Sequence, residues 1–204
     1  MTKIFGSNGI RGVINKDLTP EFVLDMGRAI GTYFGKRSKI LISRDYRFGG
    51  EFLEKTIESG LLISGIKIFE AKPVPTPTLQ FNIKTNNFDG GIMITASHNP
   101  YQFNGIKVLG SDGVEIDEKQ NQEIEQIFFS KQFSKLQFDE LKYNIKQQDK
   151  IVSTYVRAIL LHINKQQIRK RKFKVLIDPI NSVGAITSPL IAKYLNCEIY
   201  TINR

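Results

Sequence analysis

The chain is 204 residues long, 41% hydrophobic and 24% charged, with a formal net charge of +9. That length suits one full domain with a remainder, no apolar run approaches the length of a membrane span, and the first residues lack a signal peptide's apolar core. The single cysteine, Cys197, excludes an internal disulfide, fits a reducing cytoplasm and reads as a small buried residue of the last strand.

Residues 5–12, Phe-Gly-Ser-Asn-Gly-Ile-Arg-Gly, read as a glycine-rich loop around one arginine. The glycine spacing is not the dinucleotide fingerprint. Glycines there allow close backbone approach to a ligand. Arg11 either offers its planar fork to phosphate oxygens or is a solvated arginine on a surface turn, and spacing alone leaves both open. Thr19 as N-cap, with Pro20 and Glu21 in the first turn, opens a helix. Its stripe Phe22, Met26, Ile30 and Phe34 ends at Gly35. Residues 39–43 read as a core strand, followed by the polar turn Arg44-Asp45-Tyr46-Arg47, with Arg44 and Asp45 a structural ion pair or cap. A helix over 51–64, closed by Gly65, leads to a strand over 66–69. Strands alternating with helices predict an α/β fold, a mixed, mostly parallel sheet covered by helices on both faces.

Residues 73–78 are stiff and extended, and Thr78 is expected to cap a short helix to about residue 85. Ile92, Met93 and Ile94 form a buried strand after the Gly90-Gly91 break. The small and polar run Thr95-Ala96-Ser97-His98-Asn99 follows, closed by Pro100. Ser97 thus lies where a strand gives way to a loop, the rim at which open α/β sheets bind ligands. By itself a serine at such a bend is more often a turn residue than a nucleophile, and its neighbours do not form the Gly-x-Ser-x-Gly elbow. Residues 104–108 read as a strand, and the turn Ser111-Asp112-Gly113 leads into 114–116 as a hairpin. Asp117 caps a polar helix to Phe128 or Phe129. Residues 130–148 carry no clear period and mark the boundary between a first domain, 1–148, and a second, 149–204.

From Asp149 a helix shows Val152, Tyr155, Val156, Ile159, Leu160 and Ile163 on one face. A strand over 173–178, a helix over 184–195 and a strand over 197–202 follow, an incomplete α/β unit. The cations Lys165, Arg169, Lys170, Arg171, Lys172 and Lys174 fall at the end of a predicted helix, where its dipole favours them. With only Phe173 as a stacking platform they read as a solvated face rather than a nucleic-acid site. A basic protein also attracts phosphorylated small molecules.

The hexapeptide Thr95-Ala96-Ser97-His98-Asn99-Pro100 closely resembles the phosphoserine signature of the alpha-D-phosphohexomutases, the phosphoglucomutase, phosphomannomutase and phosphoglucosamine mutase superfamily. Residues 5–12 are similar to its N-terminal Phe-Gly-Thr-x-Gly-x-Arg-Gly segment, residues 43–47 to its Gly-Arg-Asp-x-Arg turn, and residues 104–107 to its Asn-Gly-x-Lys segment. Residues 175–202 resemble the opening of its second domain. Ser7 and Asn8 replace the commoner Thr-x pair, and Asn181-Ser182-Val183-Gly184 replaces the usual Asn-Gly-x-Gly, which makes that turn less permissive of positive φ.

The resemblance implies a cytoplasmic enzyme moving a phosphoryl group between the 1- and 6-positions of a hexose phosphate through a bisphosphorylated intermediate. Ser97 would be the phosphoryl carrier and, once phosphorylated, the ligand of Mg²⁺. Arg11 would stabilise the transferring phosphoryl. Lys107 would exchange a proton with the sugar hydroxyl, its pKa lowered by a neighbouring Arg11. His98 would either hydrogen-bond the phosphate or hold the loop's backbone. The family's Asp-Gly-Asp-Gly-Asp-Arg metal loop and its later sugar and phosphate loops do not occur in these 204 residues. Two expectations follow. Either a second polypeptide carrying those loops, or a homo-oligomer, takes part in turnover, or the chain is an inactive truncated paralogue, a phosphosugar-binding or partner domain without turnover.

Overall fold

The computed structural model describes residues 3–204. Strand β1 (Ile10–Val13) is followed by α1 (Pro20–Phe34), β2 (Lys39–Arg44), α2 (Gly50–Ile63), β3 (Lys67–Glu70), α3 (Thr76–Thr85), β4 (Gly90–Ile94) and β5 (Phe103–Gly110). Then come α4 (Glu118–Ser130), β6 (Ile145–Gln147), α5 (Ile151–Leu161), α6 (Lys165–Arg171), β7 (Lys174–Ile177), α7 (Gly184–Tyr194) and β8 (Glu198–Thr201). Six strands form one sheet in the order β1-β5-β4-β2-β3-β6, and β7 and β8 pair in parallel as a second.

Within the large sheet β2 runs parallel to both β3 and β4, β3 parallel to β6, and β5 antiparallel to β4 and to β1. The strands are buried on both faces because successive side chains serve different cores. Ile40 and Ile42 of β2 join Ile92 and Ile94 of β4 in a core with Val23, Met26 and Ile30 of α1 and Ile57 and Leu61 of α2. Leu41, Met93 and Leu109 point the other way, against Leu79 and Ile83 of α3 and Ile151 of α5. The sequence-predicted α1 cap is present, Thr19 Oγ1 accepting from Phe22 N at 3.3 Å. The Asp117 cap of α4 is a complete capping box with Gln120.

Several local expectations are corrected. Residues 5–12 are not all loop, since Ile10–Val13 pair with β5 as an edge strand. Thr78 caps nothing. Helix α3 begins a half-turn earlier, at Thr76, because the fixed φ of Pro77 suits a first turn whose N–H has no partner anyway. The boundary region holds β6, whose backbone adds to β3. The arm after the Ser111-Asp112-Gly113 turn makes only the bridge Leu109↔Glu115, not a second strand. The basic patch forms its own short helix, α6, capped by Asn164, instead of ending α5. Cys197 is only half-buried and precedes β8. In the departing turn the positive φ angles fall on Ile180 and Asn181, at 52° and 53°, and not on Ser182.

Candidate active site

The site grows from a mismatch in strand length. Ile94, the last residue of β4, lies opposite Ile106, so Phe103, Asn104 and Gly105 of β5 project beyond the sheet's rim. Strand β1 pairs with that overhang, Arg11 opposite Gly105. Arg11 is thereby carried level with the loop that leaves β4. Gly9, just before it, has φ 84°, and a Cβ there would sit 2.6 Å from Ile106 O, so only glycine brings the chain in this close.

A cavity of about 520 Å³ opens there, lined by residues 3–9 with Arg11, His98 and Asn99. One wall is fixed by Glu125 of α4, whose Oε1 accepts from both Ile4 N and Phe5 N at 2.8 Å. Arg11 donates to Asn99 Oδ1, while its buried Nε has no partner among the described residues. Ser97 is exposed, with its Oγ 3.4 Å from His98 Nδ1. Its backbone is left-handed, φ 55°, which costs a non-glycine residue about 1–2 kcal/mol and so needs external support. Part of that support is Thr95 Oγ1, which accepts from Ser97 N at 2.9 Å and donates to Asp45 Oδ2 at 2.5 Å.

The remaining support comes from Arg47, a side chain to which the sequence reading gave no role. Its guanidinium donates to Ser97 O and Asn99 O at 2.6 Å each and to Pro100 O and Phe103 O at 3.0 Å each. The adjacent parallel strands β2 and β4 end at the same rim, which sets the turn after one against the loop after the other. Asp45 holds that turn, accepting from Arg47 N at 2.9 Å. Arg44 pairs not with Asp45 but with Glu54 of α2, Nε to Oε2 3.1 Å.

Lys107 is placed differently. Its side chain is nearly buried, and its ammonium is bound by Glu115 from the turn after β5, with no contact to Ser97 among the described residues. The neighbour expected to act on Lys107 was Arg11; the group against its amine is a carboxylate instead. Ser97, His98 and Arg11 thus gather around one loop, while Lys107 packs against Gly9 with its amine bound by Glu115.

Apart from the exposed Ser97 Oγ, the oxygen donors at this loop are already engaged. Arg47 takes the carbonyls of Ser97 and Asn99, Arg11 takes the Asn99 amide oxygen, and Asp45 is engaged by Thr95 and Arg47. The one cluster of three carboxylates among the described residues is Glu54, Glu58 and Glu70. It is already neutralised in part by Arg44 and by Lys55, whose Nζ lies 3.1 Å from Glu58 and 2.9 Å from Glu70. Burial, then the nearby Glu58 charge, pushes the Glu54 carboxyl up to about 7. Burial also raises Glu58, opposed by its hydrogen bond from Lys55.

Residues 2–135 match the family described as phosphoglucomutase/phosphomannomutase, alpha/beta/alpha domain I. A phosphoglucosamine/phosphogalactosamine mutase of Sulfurisphaera tokodaii is 51% identical over 203 residues, covering 100% of this chain and 45% of the relative. A phosphoglucomutase/phosphomannomutase of Thermococcus kodakarensis is 35% identical, again over 100% of this chain and 45% of its own length. The crystal structure of a putative phosphomannomutase from Thermus thermophilus superposes with a TM-score of 0.86 at 25% identity, covering 98% of this chain and 46% of that one. The chain therefore spans a little under half the length of these relatives. With six-stranded α/β/α architecture and a family match over most of its length, the chain belongs to the phosphoglucomutase/phosphomannomutase family.

Proposed function

We propose that this chain carries the phosphoryl relay of a phosphohexomutase, with Ser97 taking and returning the phosphoryl group of a hexose phosphate. One observation carries the reading. An exposed serine hydroxyl sits at the rim of the sheet on the loop whose Asn99 accepts from Arg11, an arginine that lines the adjoining cavity. In the forward step Ser97 Oγ bonds to phosphorus as the bond from phosphorus to the sugar oxygen breaks. The hydroxyl proton passes to His98 Nδ1, in the tautomer protonated on Nε2, His98 releases its Nε2 proton to solvent, and the departing sugar oxygen takes a proton from solvent. Arg11 faces the charge that spreads over the transferring oxygens. Lys107 serves the sugar hydroxyl only when it parts from Glu115. Mg²⁺ belongs to the reading through the family, with phosphorylated Ser97 as its ligand in this chain; the carbonyls of Ser97 and Asn99, engaged by Arg47, offer it nothing further.

Residues 1–148 form the relay domain and residues 149–204 begin a second one in this reading, which places the protein in the cytoplasm. No helix among the described residues is long and apolar enough to cross a membrane. The relatives' names cover different sugars, so the hexose is not assigned. The alternative, a phosphosugar-binding chain without turnover, is favoured by one observation, the engagement of Lys107 by Glu115.

The chain incubated with a hexose 1,6-bisphosphate and Mg²⁺ is expected to gain one phosphate on the peptide containing Ser97, read by mass spectrometry. Ser97→Ala should gain none. Binding of the bisphosphate without any phosphate on Ser97 decides for the alternative.

A further inference from the structure

The two arginines at the loop differ in what they have left to give. A guanidinium has five N–H donors in a planar fork and no acceptor. Arg47 spends four of them on the carbonyls of Ser97, Asn99, Pro100 and Phe103, and its Nε faces Asp45 Oδ2 at 3.6 Å. Its side chain is 16% exposed and none of its donors is free for a ligand. Arg11 makes one side-chain hydrogen bond, to Asn99 Oδ1, and lines the cavity.

We propose that Arg47 is a positioning residue for the phosphoryl relay, setting the direction of the Ser97 hydroxyl without touching the phosphoryl group. The proposal rests on the reading of Ser97 as the carrier. The logic is geometric. A loop whose carbonyls converge on one largely shielded cation has them turned inward, and here the Ser97 and His98 side chains are left exposed. The His98 N–H accordingly has no acceptor among the described residues. With φ at 55°, Ser97 is held in a backbone region that it would leave if unsupported. Asp45 completes the device, because its carboxylate orders Arg47 and, through Thr95 Oγ1, the Ser97 N–H as well. Lysine at this position would keep the charge and lose the fork, reaching one or two carbonyls in place of four.

The test compares the unaltered chain with Arg47→Lys and Arg47→Gln at a temperature where melting curves show each fully folded. A hexose 1,6-bisphosphate with Mg²⁺ is the phosphoryl donor. The maximal rate of Ser97 phosphorylation is expected to fall on the order of ten- to a hundredfold, since small displacements of a reacting group are costly. The half-saturating donor concentration should stay within about twofold, because Arg11 and the cavity wall are untouched. Amide exchange over residues 97–103 should quicken on the order of tenfold or more while the core strands keep their protection. Rates that fall only in step with the folded fraction, or exchange in the loop equal to that of the unaltered chain, would overturn the proposal. If the unaltered chain takes no phosphate, the reading of Ser97 as carrier fails and the proposal with it, whereas a phosphorylated unaltered chain with unaltered rates in both variants overturns the role of Arg47 alone.

Discussion

A buried carboxyl offers a test at the scale of one residue. Glu54 and Glu58 are 3% and 2% exposed, each with one oxygen lacking a partner among the described residues; Lys55 and Glu70 are charged neighbours of both, and Arg44 pairs with Glu54. Because Glu54 titrates near 7 in the fold against 4.5 when free, the folded state holds a proton that the unfolded chain has released. Stability is therefore lost as pH rises from about 4.5 through 7. The loss is on the order of a few kcal/mol. Glu54→Gln keeps an acceptor for Arg44 and is expected to flatten that slope, raising the urea midpoint at pH 8 above that of the unaltered chain. Equal slopes between pH 5 and 8 would show that Glu54 is ionised throughout.

Residues also divide by how far their partners lie along the chain. Ser97 and Arg11 were legible because each sits in a short run whose composition announces a strand end or a glycine loop. Arg47 was not, since its partners are carbonyls some fifty residues away, and no side-chain pattern reports a carbonyl. Glu115 was half-legible. The turn was read correctly, and a bridge of Leu109 to Glu115 sets Lys107 on the diagonal of the same face.

Among the elements, the tightest association is between α1 and α2, and it depends on small residues. A Cβ on Gly27 would meet Ile57 O at 2.5 Å, and one on Gly60 would meet the backbone of Leu24 and Arg28 N, the latter at 2.8 Å. Alanine in an exposed helix gains about 1 kcal/mol over glycine, whereas overpacking against a backbone costs about 1–3 kcal/mol. Here the obstacle is backbone, so the second effect wins. Gly60→Ala should destabilise by about 1–2 kcal/mol, measured by urea unfolding, and a gain would mean the helices can separate cheaply. Elements with a strong period, such as α1, were readable from sequence. Strand β6 was not, because a short edge strand with Ile145 as its sole apolar residue is defined by the backbone it joins.

For the whole molecule, α5 joins what the sequence reading divided. Ile151 packs into the core under Leu79, Ile83 and Phe88, and Asn82 Nδ2 donates to Ile151 O at 2.9 Å. Farther along, Val156 and Leu160 join Leu195 in a separate small core. A chain ended at residue 148 loses a buried isoleucine and a hydrogen bond, about 3 kcal/mol together. Its melting temperature should fall by roughly 6–12 °C, with dye binding to the uncovered α3 face. An unchanged melting temperature would mean that residues 1–148 close their own core.

The left-handed backbone at position 97 sets endurance against chemistry. Glycine would adopt that conformation freely, alanine would inherit the strain, and neither has a hydroxyl to give. A library screened for heat resistance alone would drift toward glycine there and return sturdier proteins that, on the proposed reading, take no phosphate. The more fitting control for Ser97→Ala is therefore Ser97→Gly, since the pair separates the loss of an oxygen from the easing of a bond rotation.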